Sequence, residues 1–218
     1  MRAETIVVVA GGHPFQARLP ELPEASFVIA ADGGVDRALA LDLHVDVAIG
    51  DFDSVTPAGL AAVEAAGARI ERHPAAKDAT DLELALDAAL ALGPSRILLI
   101  GSSGGRLDHL LGSLLLLGDE RYAGVTVDAR LGAARAHVIR GTRTLAGAPG
   151  ELLSLLPLHA AAEGVTTEGL EYPLRDETLP PGTSRGTSNV FAAPEARITV
   201  TRGCLLAVRP APEGEEAL

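Results

Sequence analysis

Two aspartates one residue apart, Asp51 and Asp53, follow the apolar run Val45-Asp46-Val47-Ala48-Ile49 and a glycine, Gly50. Alternate side chains of an extended segment point the same way, so both carboxylates can address one point in space. Gly50 removes a side chain where the backbone must make room. A hard divalent cation such as Mg²⁺ suits this arrangement, because it takes a few carboxylate oxygens and keeps positions open for phosphate. An Asx turn capping the next helix would explain one aspartate but has no need of the second.

Three further clusters carry similar chemistry. In Lys77-Asp78-Ala79-Thr80-Asp81-Leu82-Glu83, the pattern Thr80-x-x-Glu83 reads as a capping box, and acids are favourable at a helix start. That leaves Lys77 unexplained, together with Asp78 and Asp81, whose spacing of three predicts one helix face. Lys77 is also the chain's single lysine beside seventeen arginines. Asp32-Gly33-Gly34 reads on its own as a glycine turn with an aspartate cap. The run Gly101-Ser102-Ser103-Gly104-Gly105-Arg106-Leu107-Asp108-His109 offers unblocked N–H groups to a phosphate, with Arg106 as a fork and Asp108 placed to hold Arg106 or His109. It is neither Gly-x-Gly-x-x-Gly nor a Walker loop. No Cys/His set for zinc and no Gly-x-Ser-x-Gly elbow occurs.

The elements that must position these residues alternate. Ile6-Val7-Val8-Val9, Phe27-Val28-Ile29-Ala30 and Arg96-Ile97-Leu98-Leu99-Ile100 are short apolar runs of the kind buried on both faces of a parallel sheet. Helices are expected from Val35 to Leu41, Pro57 to Ala66 and Thr80 to Leu92, and a buried helix from Leu107 to Leu117. Each cluster then falls at the C-terminal end of a strand, where open α/β sheets bind ligands. From about Ala134 the texture changes to short β runs with frequent glycine and proline, and Arg202-Gly203 reads as a hairpin turn. The expected fold is α/β, an open and mostly parallel sheet with flanking helices over residues 1–133, followed by a small all-β sandwich over 134–218.

Bulk composition narrows the partners. A formal net charge of -11 argues against nucleic acid and suits a cationic small molecule, or an anion accompanied by metal. No apolar run approaches the roughly 20 residues of a membrane span, and the N-terminal apolar stretch Ile6 to Ala10 is too short for a signal peptide. A single cysteine, Cys204, is compatible with a reducing cytoplasm. The acidic tail Glu213-Gly214-Glu215-Glu216 reads as a solvated end.

Taken in order, Ala31-Asp32-Gly33-Gly34, Gly50-Asp51-Phe52-Asp53-Ser54, Lys77-Asp78-x-Thr80-Asp81-x-Glu83 and Gly104-Gly105-Arg106-x-Asp108-His109 resemble the thiamine pyrophosphokinases. Gly164-Val165-Thr166, Gly169-Leu170-x-Tyr172-Pro173-Leu174 and Thr187-Ser188-Asn189 resemble that family's β domain. The resemblance implies transfer of a pyrophosphoryl group from ATP to the hydroxyl of thiamine, giving thiamine diphosphate and AMP, in a homodimer with the site between subunits. It implies Mg²⁺ on Asp51, Asp53 and Asp81, with Asp78 as a further ligand or proton acceptor and Lys77 and Arg106 on phosphate oxygens. Asp32, Gly33, Gly34, Gly104, Gly105, Asp108 and His109 would shape the nucleotide site, and Ser188 and Asn189 match a segment near the thiamine pocket. Pockets of this family use an aromatic ring, frequently tryptophan; this chain has no Trp, leaving Tyr172 or Phe191.

Three other readings stand beside this one. A pyrophosphokinase for another alcohol, such as a hydroxymethyl pterin, would share the metal site. A haloacid-dehalogenase-type phosphatase would use Asp51 of Asp51-Phe52-Asp53-Ser54-Val55 as nucleophile, but would leave the Gly104 to His109 loop unexplained. The third is a non-catalytic sensor of nucleotide or thiamine.

Overall fold

The structure is a computed structural model that describes residues 4–12 and 27–211; the acidic tail Glu213 to Glu216 lies outside them. The elements run β1 (Thr5–Ala10), β2 (Phe27–Ala31), α1 (Gly34–Ala40), β3 (Val47–Gly50), α2 (Pro57–Ala65), β4 (Arg69–Arg72), α3 (Asp81–Ala91), β5 (Arg96–Gly101) and α4 (Leu107–Leu117). A short 3₁₀ turn, Glu120–Tyr122, leads into β6 (Thr126–Leu131), β7 (Ala134–Ala146), β8 (Leu152–Pro157), β9 (Ala162–Glu168), β10 (Glu177–Leu179), β11 (Asn189–Val190) and β12 (Glu195–Arg209).

The first half is α/β with a parallel sheet in the order β4-β3-β2-β1-β5-β6, and the order reverses between β1 and β5. Such a reversal opens a crevice outside the C-terminal strand ends. Along β1, Ile6 and Val8 face a core with Ala85, Leu86 and Ala89 of α3, while Val7 and Val9 face Val35 and Ala38 of α1 and Val63 of α2. Burial on both faces explains why these strands are unbroken apolar runs. Strand β7 pairs antiparallel with β6, so the sheet continues into the β-rich half, whose core holds Ile139, Leu153, Leu155, Phe191, Ile198 and Leu205.

Three sequence expectations change. Arg202-Gly203 is not a hairpin: β12 is continuous from Glu195 to Arg209 and shifts register against β7 between Val200 and Leu205. Gly203 at φ +92° and Gly141 at φ +72° let both strands bend there. The edge strand β4 went unexpected because its residues, Arg-Ile-Glu-Arg, are charged, which is what an exposed sheet edge tolerates. Helix α4 forms where expected but is not buried: Leu107, Leu111 and Leu115 are 66%, 51% and 49% exposed, while Leu110 and Leu114 pack inward.

One polar group is sealed where the two halves meet. Asp128 of β6 is 2% exposed and takes Arg143 Nη2 and His137 Nδ1 on one oxygen at 2.9 and 2.7 Å, with Arg96 Nη2 at 2.6 Å from the other as an ion pair. Burial alone would raise its pKa, but His137, Arg143 and Arg96 hold it down to about 2. A carboxylate depressed in the folded state stabilises above its unfolded pKa of about 3.9 and loses that contribution as pH falls through the folded value. Urea titrations are therefore expected to show a loss on the order of 2 kcal/mol between about pH 4 and 2. In Asp128→Asn that acid step should flatten; an unchanged step would remove Asp128 as its source.

Candidate active site

Backbone geometry gathers the carboxylates before any side chain contributes. Strands β2 and β3 are parallel neighbours, so Asp32 and Asp51 leave the same edge of the sheet, and the Asp32 N–H donates to Ile49 O at 2.9 Å. Gly50 lies between them at φ +155°. A Cβ there would stand 3.1 Å from Asp32 Cβ and 3.2 Å from Asp81 Oδ1, so the close packing requires glycine. Phe52, at φ +64°, turns the chain so that Asp53 N–H can donate to Asp51 Oδ1 at 3.2 Å. The far end of this loop is pinned by Asp36 of α1, which accepts from Thr56 N and Oγ1 at 2.8 and 2.6 Å, and Thr56 in turn caps α2.

Asp32, Asp51 and Asp53 each place a carboxylate oxygen within 4.8 Å of the other two. Asp32 Oδ1 is buried with no hydrogen-bond partner, and burial raises its pKa against hydrogen bonds from Gly33 and Ser54. A compact oxygen-only donor set with an unsatisfied buried oxygen fits a hard divalent cation. Asp81 stands at the same place: its Oδ1 lies 3.2 Å from where a Gly50 Cβ would be, and it pairs with Lys77 Nζ at 3.0 Å, which also reaches Asp51 at 3.6 Å and Pro74 O at 3.1 Å. Burial opposes the Lys77 charge, but Asp81 and Asp51 outweigh it and raise its pKa. Asp78 precedes α3 in a bend and is exposed, so the helical spacing expected of Asp78 and Asp81 does not apply. Thr80 caps α3 by accepting from Glu83 N at 3.2 Å, while the Glu83 carboxylate turns to Arg121 rather than closing a capping box.

The remaining expected residues divide between this sheet edge and the β-rich half. Gly33 and Gly34 begin α1 directly after Asp32. Gly104, Gly105 and Arg106 stand exposed on the loop between β5 and α4, with Asp108 and His109 exposed in the first turn of α4, at the same sheet edge but with β1 between them and β2. Asp108 takes both Arg106 Nε and Nη2, at 3.2 and 2.6 Å, and that pairing lowers the Asp108 pKa to about 2. Ser188, at φ +53°, and Asn189 line a cavity of about 380 Å³ in the β-rich half, with Tyr172, Leu174 and the segment 183–187. Asn189 is 2% exposed and spends its amide on the chain itself: Oδ1 accepts from Tyr172 N and Val190 N, and Nδ2 donates to Tyr172 O. Among the described residues no hydrogen bond or ion pair joins this cavity to the carboxylate cluster.

Sequence reasoning placed the site at the C-terminal strand ends but did not count Gly11-Gly12, at the β1–β5 reversal, among its residues. A Cβ on Gly12 would meet Ser102 Cβ at 3.1 Å and Arg37 Nη2 at 3.5 Å, and one on Gly11 would meet the Gly33 backbone at 3.2 Å. The signal available was Gly11-Gly12 after the first apolar run. Asp36 and Thr56 gave no such signal, because their pairing appears only once α1 and α2 are packed.

Comparison with known proteins adds an independent line. Residues 20–127 match the family model described as thiamin pyrophosphokinase, catalytic domain, and residues 136–205 match that for thiamin pyrophosphokinase, vitamin B1 binding domain. The chain is 30% identical over 220 residues to a thiamine pyrophosphokinase of Bacillus subtilis, covering 94% of this chain and 98% of that one. A crystal structure of thiamine pyrophosphokinase from Bacillus subtilis superimposes with a TM-score of 0.84 at 27% identity, covering 95% of this chain and 99% of the other. A thiamin pyrophosphokinase family protein from Enterococcus faecalis gives 0.81 at 28% identity, with 95% and 99% coverage.

Proposed function

The chain belongs to the thiamine pyrophosphokinase family, and from that premise we propose how its own residues perform the transfer of pyrophosphate from ATP to thiamine. The observation that carries the reading is the carboxylate set Asp32, Asp51 and Asp53 within 4.8 Å, with Lys77 3.6 Å from Asp51. Asp51 and Asp53, with Asp32, would hold Mg²⁺, which when bound offsets the charge of the triphosphate. Asp81, at the same site, would serve with them as a ligand while holding Lys77 in place. The thiamine hydroxyl oxygen forms a bond to the β-phosphorus while the bond from that phosphorus to the α-phosphate oxygen breaks, so AMP leaves. Little of this is covalent work for the protein; positioning and charge neutralisation dominate. Lys77 and Arg106 supply cations for phosphate oxygens. Asp78, exposed and without an ion pair among the described residues, is available for the hydroxyl proton.

The cavity beside Asn189 is assigned to thiamine. Phe191 is fully buried against Gly147 and beneath Arg209, so it has no free face. Tyr172 is 57% exposed at the cavity, its backbone held by Asn189, and presents a ring to the cationic thiazolium. Replacing Tyr172 by Ala is expected to raise the thiamine KM about 10-fold with little change in kcat, the pattern of lost ground-state binding. Equal KM values in the wild type and the variant would remove Tyr172 from the pocket.

The cavity and the carboxylates belong to different halves of the chain, and the exposed leucine row of α4 begins beside Arg106. A homodimer burying Leu107, Leu111 and Leu115 accounts for both. Leu111→Glu should then sediment as a monomer at micromolar concentration where the wild type is dimeric; a wild-type monomer, or a dimeric variant, would reject this face as the interface. A thiol buried as deeply as Cys204 needs no oxidising compartment, in keeping with a cytoplasmic enzyme.

Incubation with ATP, Mg²⁺ and thiamine, followed by product identification, tests the reaction. AMP and thiamine diphosphate are expected. Free phosphate or ADP would overturn the reading, and turnover of a hydroxymethyl pterin in preference to thiamine would change the acceptor.

A further inference from the structure

One face of the sheet changes character between two apolar cores. Leu98 and Ile100 of β5 belong to the core under α1 and α2, and Ala207 of β12 belongs to the core of the β-rich half. Between them, the residues on this face are Asp128 and Arg130 of β6 and His137 and Arg135 of β7, since Ala129, Leu131, Ala136 and Val138 point into the opposite core. Register places Arg130 opposite Arg135, and Arg135 opposite Arg209 of β12. Three arginines thus occupy adjacent strands, their Cα atoms spanning about 10 Å at the usual strand spacing, with the Arg209 guanidinium donating to Ala146 O and Glu151 over the Phe191 ring.

Charge along this strip is unbalanced in a chain whose net charge is -11. Asp128 is shared among Arg96, Arg143 and His137, and Glu151 pairs with Arg209 at 2.6 Å. Among the described residues, no side-chain hydrogen bond or ion pair reaches the Arg130 or Arg135 guanidinium. Arg130 is half-buried, and burial, joined by the charges of Arg135, Arg96 and Arg209 and only partly opposed by Asp128, lowers its pKa from the ordinary value. Like charges held together in a partly desolvated place favour a bound anion.

We propose that this arginine strip is a second anion site, distinct from the carboxylate cluster, and that it takes a compact ligand with two or more linked phosphates. A single phosphate would reach one or two of the three arginine side chains, whereas linked phosphates suit a row whose Cα atoms span about 10 Å. The strip is too short for a nucleic-acid backbone track. It lies three strands from Asp32, about 14 Å by strand spacing, and the proposal does not rest on the transferase reading.

Isothermal titration of the full chain with inorganic tripolyphosphate in excess EDTA tests this, since no divalent cation then links the probe to Asp51 and Asp53. Saturable binding is expected for the wild type and for Asp53→Asn. Arg135→Gln, an exposed position where folding is not at risk, should weaken binding at least ~10-fold, and Arg130→Gln should weaken it comparably. Displacement of the probe by ATP, by pyrophosphate or by thiamine diphosphate identifies the source of the linked phosphates. Unchanged affinity in Arg135→Gln would overturn the site, as would loss of binding in Asp53→Asn. So would no binding by the wild type at millimolar probe, the result expected if carboxylates of the chain itself fill the strip.

Discussion

Asp53→Asn is expected to lower turnover at least ~100-fold, the usual scale for removing one key electrostatic group, while leaving the melting temperature within a degree or two. The two outcomes separate because Asp53 is exposed and its recorded side-chain hydrogen bond is to the neighbouring Ser54 Oγ, at 2.7 Å. An amide of the same shape keeps that contact. What it loses is charge at the point where Asp32 and Asp51 already converge. The Mg²⁺ dependence should therefore shift to higher concentration together with the fall in kcat, whereas the thiamine KM should hold if the cavity beside Asn189 takes thiamine as proposed. Steady-state kinetics across a Mg²⁺ titration, alongside thermal unfolding, gives both readouts. Near-normal turnover in a folded variant would reject the metal assignment.

The contrast between Asp53 and Asp32 shows what sequence carried and what it did not. Spacing alone put Asp51 and Asp53 on one side of an extended segment, because that inference needs only the local backbone period. The third carboxylate depends on which strands are neighbours. Asp32 joins Asp51 because β2 lies directly beside β3, and Asp81 comes to the same edge through Lys77, which contacts both Asp81 and Asp51. The same limit explains the strands. Buried runs such as Ile6 to Val9 announce themselves by composition, whereas β4 is an edge strand of charged residues and β6 interrupts its apolar pattern with Asp128 and Arg130. Arg202-Gly203 misled because a glycine at positive φ serves a bend within a strand as well as a turn between two. In α4 the leucines were read as core, yet a helix apolar around most of its circumference also results when one face awaits a partner.

Gly34→Ala should be the most damaging single methyl group in the first half of the chain. A Cβ at Gly34 would lie 2.0 Å from the Val9 carbonyl oxygen and 2.7 Å from its carbon, both backbone atoms of the central strand β1. No rotamer change relieves that contact, so α1 must lift from the sheet. Val35 and Ala38, both fully buried, would move with it. Overpacking of this kind costs about 3 kcal/mol, which for a chain of this length is roughly 10 °C in melting temperature. Helix α1 also carries Asp36, the clamp on Thr56, and follows directly on Asp32. Turnover in the surviving folded fraction should consequently fall as well, because the loop bearing Asp51 and Asp53 loses its anchor. Gly124→Ala is the control, since a Cβ there meets nothing within 4 Å; its melting temperature should stay at the wild-type value. Calorimetry on the two variants checks the pair, and a Gly34→Ala protein as stable and active as Gly124→Ala would mean that α1 does not pack on β1 as closely as the backbone contact requires.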